Sequence, residues 1–202
     1  MYQHALTVFC AFLIAGLANA QAATYNIDPA HSSVNFKIRH LVSKTRGKFD
    51  KFTGTFEYHK DKLADSKLMG TVETASINTD NQKRDEHLRS DDFFAAKKFP
   101  KIEFVSTKFT DQKDGKATIE GNITIKGVTK PITLAAEIGG EAKDPWGNQV
   151  VGFSATGKLN RKDFGIVWNK TLDAGGLMLG EDVEIALEFE GGAAKTDAPK
   201  KK

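Results

Sequence analysis

The residues best equipped for chemistry gather between 84 and 100, in the run RDEHLRSDDFFAAKKFP. On a helix Arg84, His87, Leu88 and Asp91 fall at three- and four-residue spacings and share a face. Arg84 offers a charge-assisted donor and His87 a ring that hydrogen-bonds, a pairing suited to the polar head of a ligand. Phe93, Phe94 and Phe99 follow, more aromatic surface than a solvated connection carries. The remaining histidines after residue 22 are scattered singly. His31, close to Asp28-Pro29, reads as a turn residue, and His59 as the end of a strand among charges. His40 lies on the inward parity of a strand and approaches His87 at one end of the fold. Such a pair is either a metal site or two satisfied histidines, the second by the wider margin, so no metal is expected.

Nucleophilic and metal-dependent catalysis find little support. The chain has no G-x-S-x-G elbow, no H-E-x-x-H helix and no P-loop. Its one cysteine, Cys10, sits in an apolar stretch, residues 1–22, that holds no Asp, Glu, Lys or Arg and ends in two overlapping A-x-A patterns. That stretch reads as a signal peptide cleaved after Ala20 or Ala22, which implies export and a chain with no integral membrane segment and no thiol chemistry once processed. The formal charge of +3 resides in residues 191–202, where four Lys outnumber one Asp; the tail is expected to be disordered. The neutral remainder gives no electrostatic footprint for nucleic acid.

The body that must position these groups alternates at period two. Residues 116–126, KATIEGNITIK, place Ala117, Ile119, Gly121, Ile123 and Ile125 on one face and polar side chains on the other. The same pattern marks strands around Val34–Ile38, Phe52–Tyr58, Leu68–Val72, Ile102–Ser106, Ile132–Ile138, Val151–Ala155 and Val183–Phe189. Turn chemistry at KDG (113–115), KGVTKP (126–131) and KDPWGN (143–148) joins several of them closely. Eight strands with short links form an all-β, up-and-down antiparallel meander, and closure removes its edges. Gly54, Gly70, Gly121, Gly152 and Gly157 lie inside strands, where a tightly coiled barrel gives them a use.

The sign of the barrel follows from its outward residues. Lys37, Arg39, Glu57, Glu103, Glu120, Glu184 and Glu188 would face lipid in a membrane barrel, which that environment does not tolerate. The apolar face therefore points inward, and the lumen is either filled by its own side chains or holds one apolar ligand. The helical segment, 80–99, interrupts the meander between strands 3 and 4, with Asp80 or Asn81 capping its first turn and Ser90 a second. Two readings of it stand level: a lid whose rings shield a bound chain while Arg84 and His87 meet its head, or a plug that seals the core. A second connection, FGIVWNKTLDAGGLMLGE (164–181), reads equally as an apolar flap or a packed hairpin extension.

Several ordered motifs together carry a resemblance: YNIDPAHSSVNFKIRHL (25–41), GKFDKFTGTFEY (47–58), RDEHLRSDDFF (84–94), KFPKIEFVST (98–107), GNITIKGVTKPITL (121–134) and DPWGNQVVGFSATGKLNRKDFGI (144–166). The chain resembles the YceI-like family of polyisoprenoid-binding periplasmic proteins over residues 25–189. The resemblance implies a lipocalin-like barrel over 23–190 that encloses a long amphipathic lipid, with no other cofactor. Candidate ligand contacts are Phe36, Ile38, His40, Phe52, Phe56, Arg84, His87, Leu88, Phe93, Phe94, Phe99, Ile102, Phe104, Phe153, Phe164 and Trp168. The alternative function is an enzyme, or a metal-dependent protein, acting on an isoprenoid or quinone-like substrate. Homodimer formation is left open.

Overall fold

Inward-facing apolar residues and outward-facing charges at period two produce a closed antiparallel barrel in the computed structural model, which describes residues 23–173 and 176–194. The strand segments are β1 (Ala23–Ile27), β2 (Ser33–His40), β3 (Ser43–Phe49), β4 (Phe52–Tyr58), β5 (Lys67–Glu73), β6 (Ile77–Asn78), β7 (Lys101–Asp111), β8 (Lys116–Ile125), β9 (Val128–Lys143), β10 (Gln149–Asn160) and β11 (Leu179–Ala193). Helix α1 spans Gln82–Arg89, between β6 and β7. The expected signal peptide (1–22) and residues 195–202 lie outside the described residues.

The eleven segments make eight strands, because the first three are each broken once. Segments β1 and β2 pair in succession along one edge of β11, β3 follows β2 around the hairpin and runs on into β4, and β5 runs on into β6. The register Asn26↔Thr55 beside Val34↔Phe49, and Phe52↔Val72 beside Phe49↔Ile77, puts the three breaks side by side. Sequence alternation marks only β2, β4 and β5 of these pairs. In β3, SKTRGKF, the inward positions are Thr45, Gly47 and Phe49, so two of three carry no apolar signal. Residues 191–193, expected in the tail, extend β11 and pair with Tyr25–Ile27, which closes the ring.

One glycine shows what the coil demands. A Cβ on Gly121 would lie 2.5 Å from the Phe104 ring, which crosses the strand inside the barrel. The turns at 113–115 and 126–127 hold Lys113, Asp114, Gly115, Lys126 and Gly127 at positive φ, as their composition anticipates. Below the breaks the barrel is filled: Tyr25, Phe56, Phe109, Ile119 and Val151 are almost wholly removed from solvent and form a floor. Above them it is hollow. There the wall is incomplete as well, since β6 pairs with β3 alone and α1 occupies the place beside it.

Candidate functional site

The hollow half encloses a cavity of about 450 Å³. Its wall is built from the inward parity of the strands: Val34, Phe36 and Ile38 of β2, Phe52 of β4, Leu68 and Val72 of β5, Ile102 and Phe104 of β7, Ile123 and Ile125 of β8, Ile132 and Leu134 of β9, Leu159 of β10, and Val183, Ile185, Leu187 and Phe189 of β11. His40, Arg84, His87, Leu88, Phe93, Phe94, Phe164 and Trp168 border it toward the open end. Three candidates lie elsewhere. Phe56 and Phe153 belong to the floor, with ring centroids 5.0 Å apart and almost no exposure, because the barrel interior is already filled at their level. Phe99 packs outside, over Gly127 in the β8–β9 turn.

Helix α1 is attached to the barrel by its polar side chains. Asn81 Oδ1 accepts from the Arg84 amide at 3.0 Å and caps the first turn. The buried Asp85 accepts from the amide and hydroxyl of Thr79, and Arg89 donates to the carbonyls of Ala75 and Ile77, both at 2.7 Å. Arg84 donates to Thr79 Oγ1 and to the Thr79 carbonyl, each at 2.7 Å, while its side chain stays exposed at the rim. The helix is shorter than its sequence pattern: Ser90, expected to cap a second turn, instead ends the first by donating to the His87 carbonyl, and residues 91–98 continue as turns. Asp91, expected on the face of Arg84 and His87, turns outward to pair with Lys98.

The Phe93, His87 and Trp168 rings close over the cavity at the rim. His87 meets Phe93 and Trp168 edge-on, with centroids 5.0 and 4.9 Å away, and its Nε2 lies 2.9 Å from Asp92 Oδ2. Phe94 stands edge-on to Phe49, and Phe49 packs against Phe36. Trp168 belongs to the 164–179 connection, which forms a hairpin: Thr171 bridges Leu177, Met178 N–H donates to the Lys170 carbonyl, and Asn169 bonds both backbone groups of Leu179.

Arg161 holds the base of this hairpin. It is 3% exposed, donating Nε to the Gly180 carbonyl at 2.9 Å and one terminal nitrogen to the carbonyls of Ile166 and Trp168 at 2.7 and 2.8 Å. Burial pulls its guanidinium below the usual arginine range, against the opposing influence of Glu181. Sequence reasoning left this arginine off the candidate contacts, yet the parity of β10 points at it: Val151, Phe153, Ala155, Gly157 and Leu159 face inward, and two residues on comes Arg161. His40 and His87 both border the cavity, and among the described residues no three His, Cys, Asp or Glu side chains gather in a metal-binding group. Among the described residues no helix is long and apolar enough to cross a membrane.

Comparison with known proteins places this architecture. The profile of the YceI-like domain matches residues 25–191. A UPF0312 protein of Vibrio vulnificus is 47% identical over 150 residues, covering 73% of this chain and 79% of that protein. The crystal structure of the Campylobacter jejuni YCEI protein superposes with a TM-score of 0.67 at 36% identity, over 79% of this chain and 91% of that one. A polyisoprenoid binding domain from Saccharophagus degradans, implicated in plant cell wall breakdown, shares the fold at 13% identity with a TM-score of 0.59, over 86% of this chain and all of that one. With this match along nearly the whole barrel, the chain belongs to the YceI-like family.

Proposed function

We propose that this protein binds one long-chain amphipathic lipid, a polyisoprenoid, with its chain in the barrel cavity, for carriage, storage or sensing in the periplasm. The observation that carries the reading is the cavity: about 450 Å³ lined by Phe, Ile, Leu and Val from β2, β4, β5 and β7–β11. Its size lies within the usual range of small-molecule sites. At ~30 Å³ for a water-sized group, it accommodates on the order of 15 methylenes. At about 0.8 kcal/mol each these contribute roughly 12 kcal/mol; association and ordering take about 4 kcal/mol or more of that, leaving at most about 8 kcal/mol, which is binding in the micromolar range at its tightest. Family and fold are those of a binding domain rather than a known enzyme family, and the Saccharophagus degradans neighbour supports an isoprenoid over a straight acyl chain.

Native mass spectrometry of the purified protein, followed by organic extraction, tests the reading. An adduct that extracts into solvent and fragments in five-carbon steps is the expected result. A chain that carries no lipid after purification and takes none up from prenyl alcohol dispersions would overturn it.

A further inference from the structure

The second terminal nitrogen of Arg161 is buried and has no hydrogen-bond partner, although every other donor group of that guanidinium is used. The side chain borders the cavity. An unmet cationic donor in an apolar chamber is costly, and a ligand oxygen removes the cost. The charges around the chamber have one sign: among the described residues Lys83, Arg84 and Arg161 border it with His40 and His87, and no carboxylate does. Lys83 and Arg84 are exposed, so Arg161 is the cation among these three that is shielded from water.

Resting on the lipid-binding reading above, we propose that Arg161 is an interior head-group contact, selecting a lipid that ends in a single carboxylate. One free nitrogen matches one oxygen of such a head; a diphosphate would require several further donors. Arg161 follows directly on β10, whose last pairs with β11 are Leu159↔Val183 and Asn160↔Asp182, and β11 carries Val183 beside Ile38 and Leu179 beside His40 of β2. The head therefore lies at the rim end but beneath the 164–179 hairpin, and the chain runs toward the floor.

The test uses Trp168 as reporter in a Trp146→Phe background, since the chain has two tryptophans and Trp146 is 84% exposed on a turn. Geranylgeranoic acid, geranylgeraniol and geranylgeranyl phosphate are titrated at pH 7.5. The acid is expected to bind at least tenfold tighter than the alcohol, the ratio of a charge-assisted hydrogen bond. Arg161→Gln collapses that ratio to about twofold, any effect of its lost hairpin bonds falling on acid and alcohol alike, and Arg84→Gln preserves the ratio. In the unsubstituted protein, NMR of the arginine side chains shows a protected Arg161 terminal N–H with the acid and not with the alcohol, a readout that survives if Arg161→Gln does not fold. Equal affinity for acid and alcohol, collapse of the ratio in Arg84→Gln instead, or a tenfold preference for the phosphate each overturns the proposal and leaves the lipid cavity standing. Failure of all three lipids to bind removes the cavity reading itself.

Discussion

Replacing Phe56 and Phe94 by alanine, one at a time, removes the same ring from two settings. Phe56 has no exposure, and its centroid lies 5.4, 5.9 and 5.0 Å from those of Tyr58, Phe109 and Phe153. Truncation there leaves a sealed void in a packed floor, which costs about 3–5 kcal/mol. Phe94 is half-buried, borders space that is already open, and meets one ring, Phe49, at 6.0 Å. Its loss is confined to partial transfer and one aromatic pair, about 1–2 kcal/mol, because little new void is created. Urea melts of the lipid-free variants measure both, and the expected gap is about 1–4 kcal/mol at similar m-values. Retention of a C20 prenyl lipid, followed by Trp168 fluorescence, is expected to move the other way: weaker for Phe94→Ala, near normal for Phe56→Ala at temperatures where it is folded. Equal stability costs within about 0.5 kcal/mol would refute the division into filled floor and open chamber, and with it the lid reading of residue 94.

Phe36→Asp and Phe104→Asp each put an unpaired carboxylate on the cavity wall, so both are expected to lower stability by several kcal/mol and abolish lipid uptake, measured by thermal melts with and without lipid. Tyr25 is buried and its hydroxyl donates to Glu141 Oε1 at 2.5 Å, and burial first, then Glu141, raises its ionisation far above the usual phenol range. The folded chain therefore holds this proton longer than the unfolded one; the stabilisation is complete below pH ~10 and is lost as pH rises beyond it. Tyr25→Phe is expected to cost about 1 kcal/mol at pH 7 and to flatten the alkaline decline between pH 10 and 11 in denaturant melts. Intact-mass measurement of the exported protein is expected to show a chain beginning at Gln21 or Ala23.

Alternation exposed the barrel because a wall with one dry face must write apolar residues at every second position. It exposed less where that face is not apolar: β3 presents Thr45 and Gly47 inward, and Gly47 makes room for the Phe36 ring of its neighbour. Depth along the strand was invisible for a related reason. Phe52 and Phe56 share a face and a strand, yet one lines the chamber and the other the floor, and the level at which the lumen fills depends on rings from Phe109 and Phe153 far away in sequence. The polar residues of 84–90 announced a special segment but not its work. Asp85 takes the amide and hydroxyl of Thr79 and Arg89 the carbonyls of Ala75 and Ile77, partners that no spacing rule anticipates. Arg161 continues the inward parity of β10, but its exposed neighbours Lys162 and Asp163 make the stretch look solvated.

The missing partner of β6 has a kinetic consequence. Everywhere else around the chamber, parting two strands means breaking a ladder of backbone hydrogen bonds together, a cooperative and therefore slow event. Between β6 and β7 there is no ladder, and α1 is fastened by the separate side-chain bonds of Asp85, Arg84 and Arg89. Those can release one by one. On the lipid-binding reading, the seam is where a chain too long to turn inside the barrel is expected to enter, sideways along its length rather than end first. Weakening the fastening, as in Arg89→Ala, then accelerates entry and departure in proportion and leaves the equilibrium between bound and free lipid almost where it was.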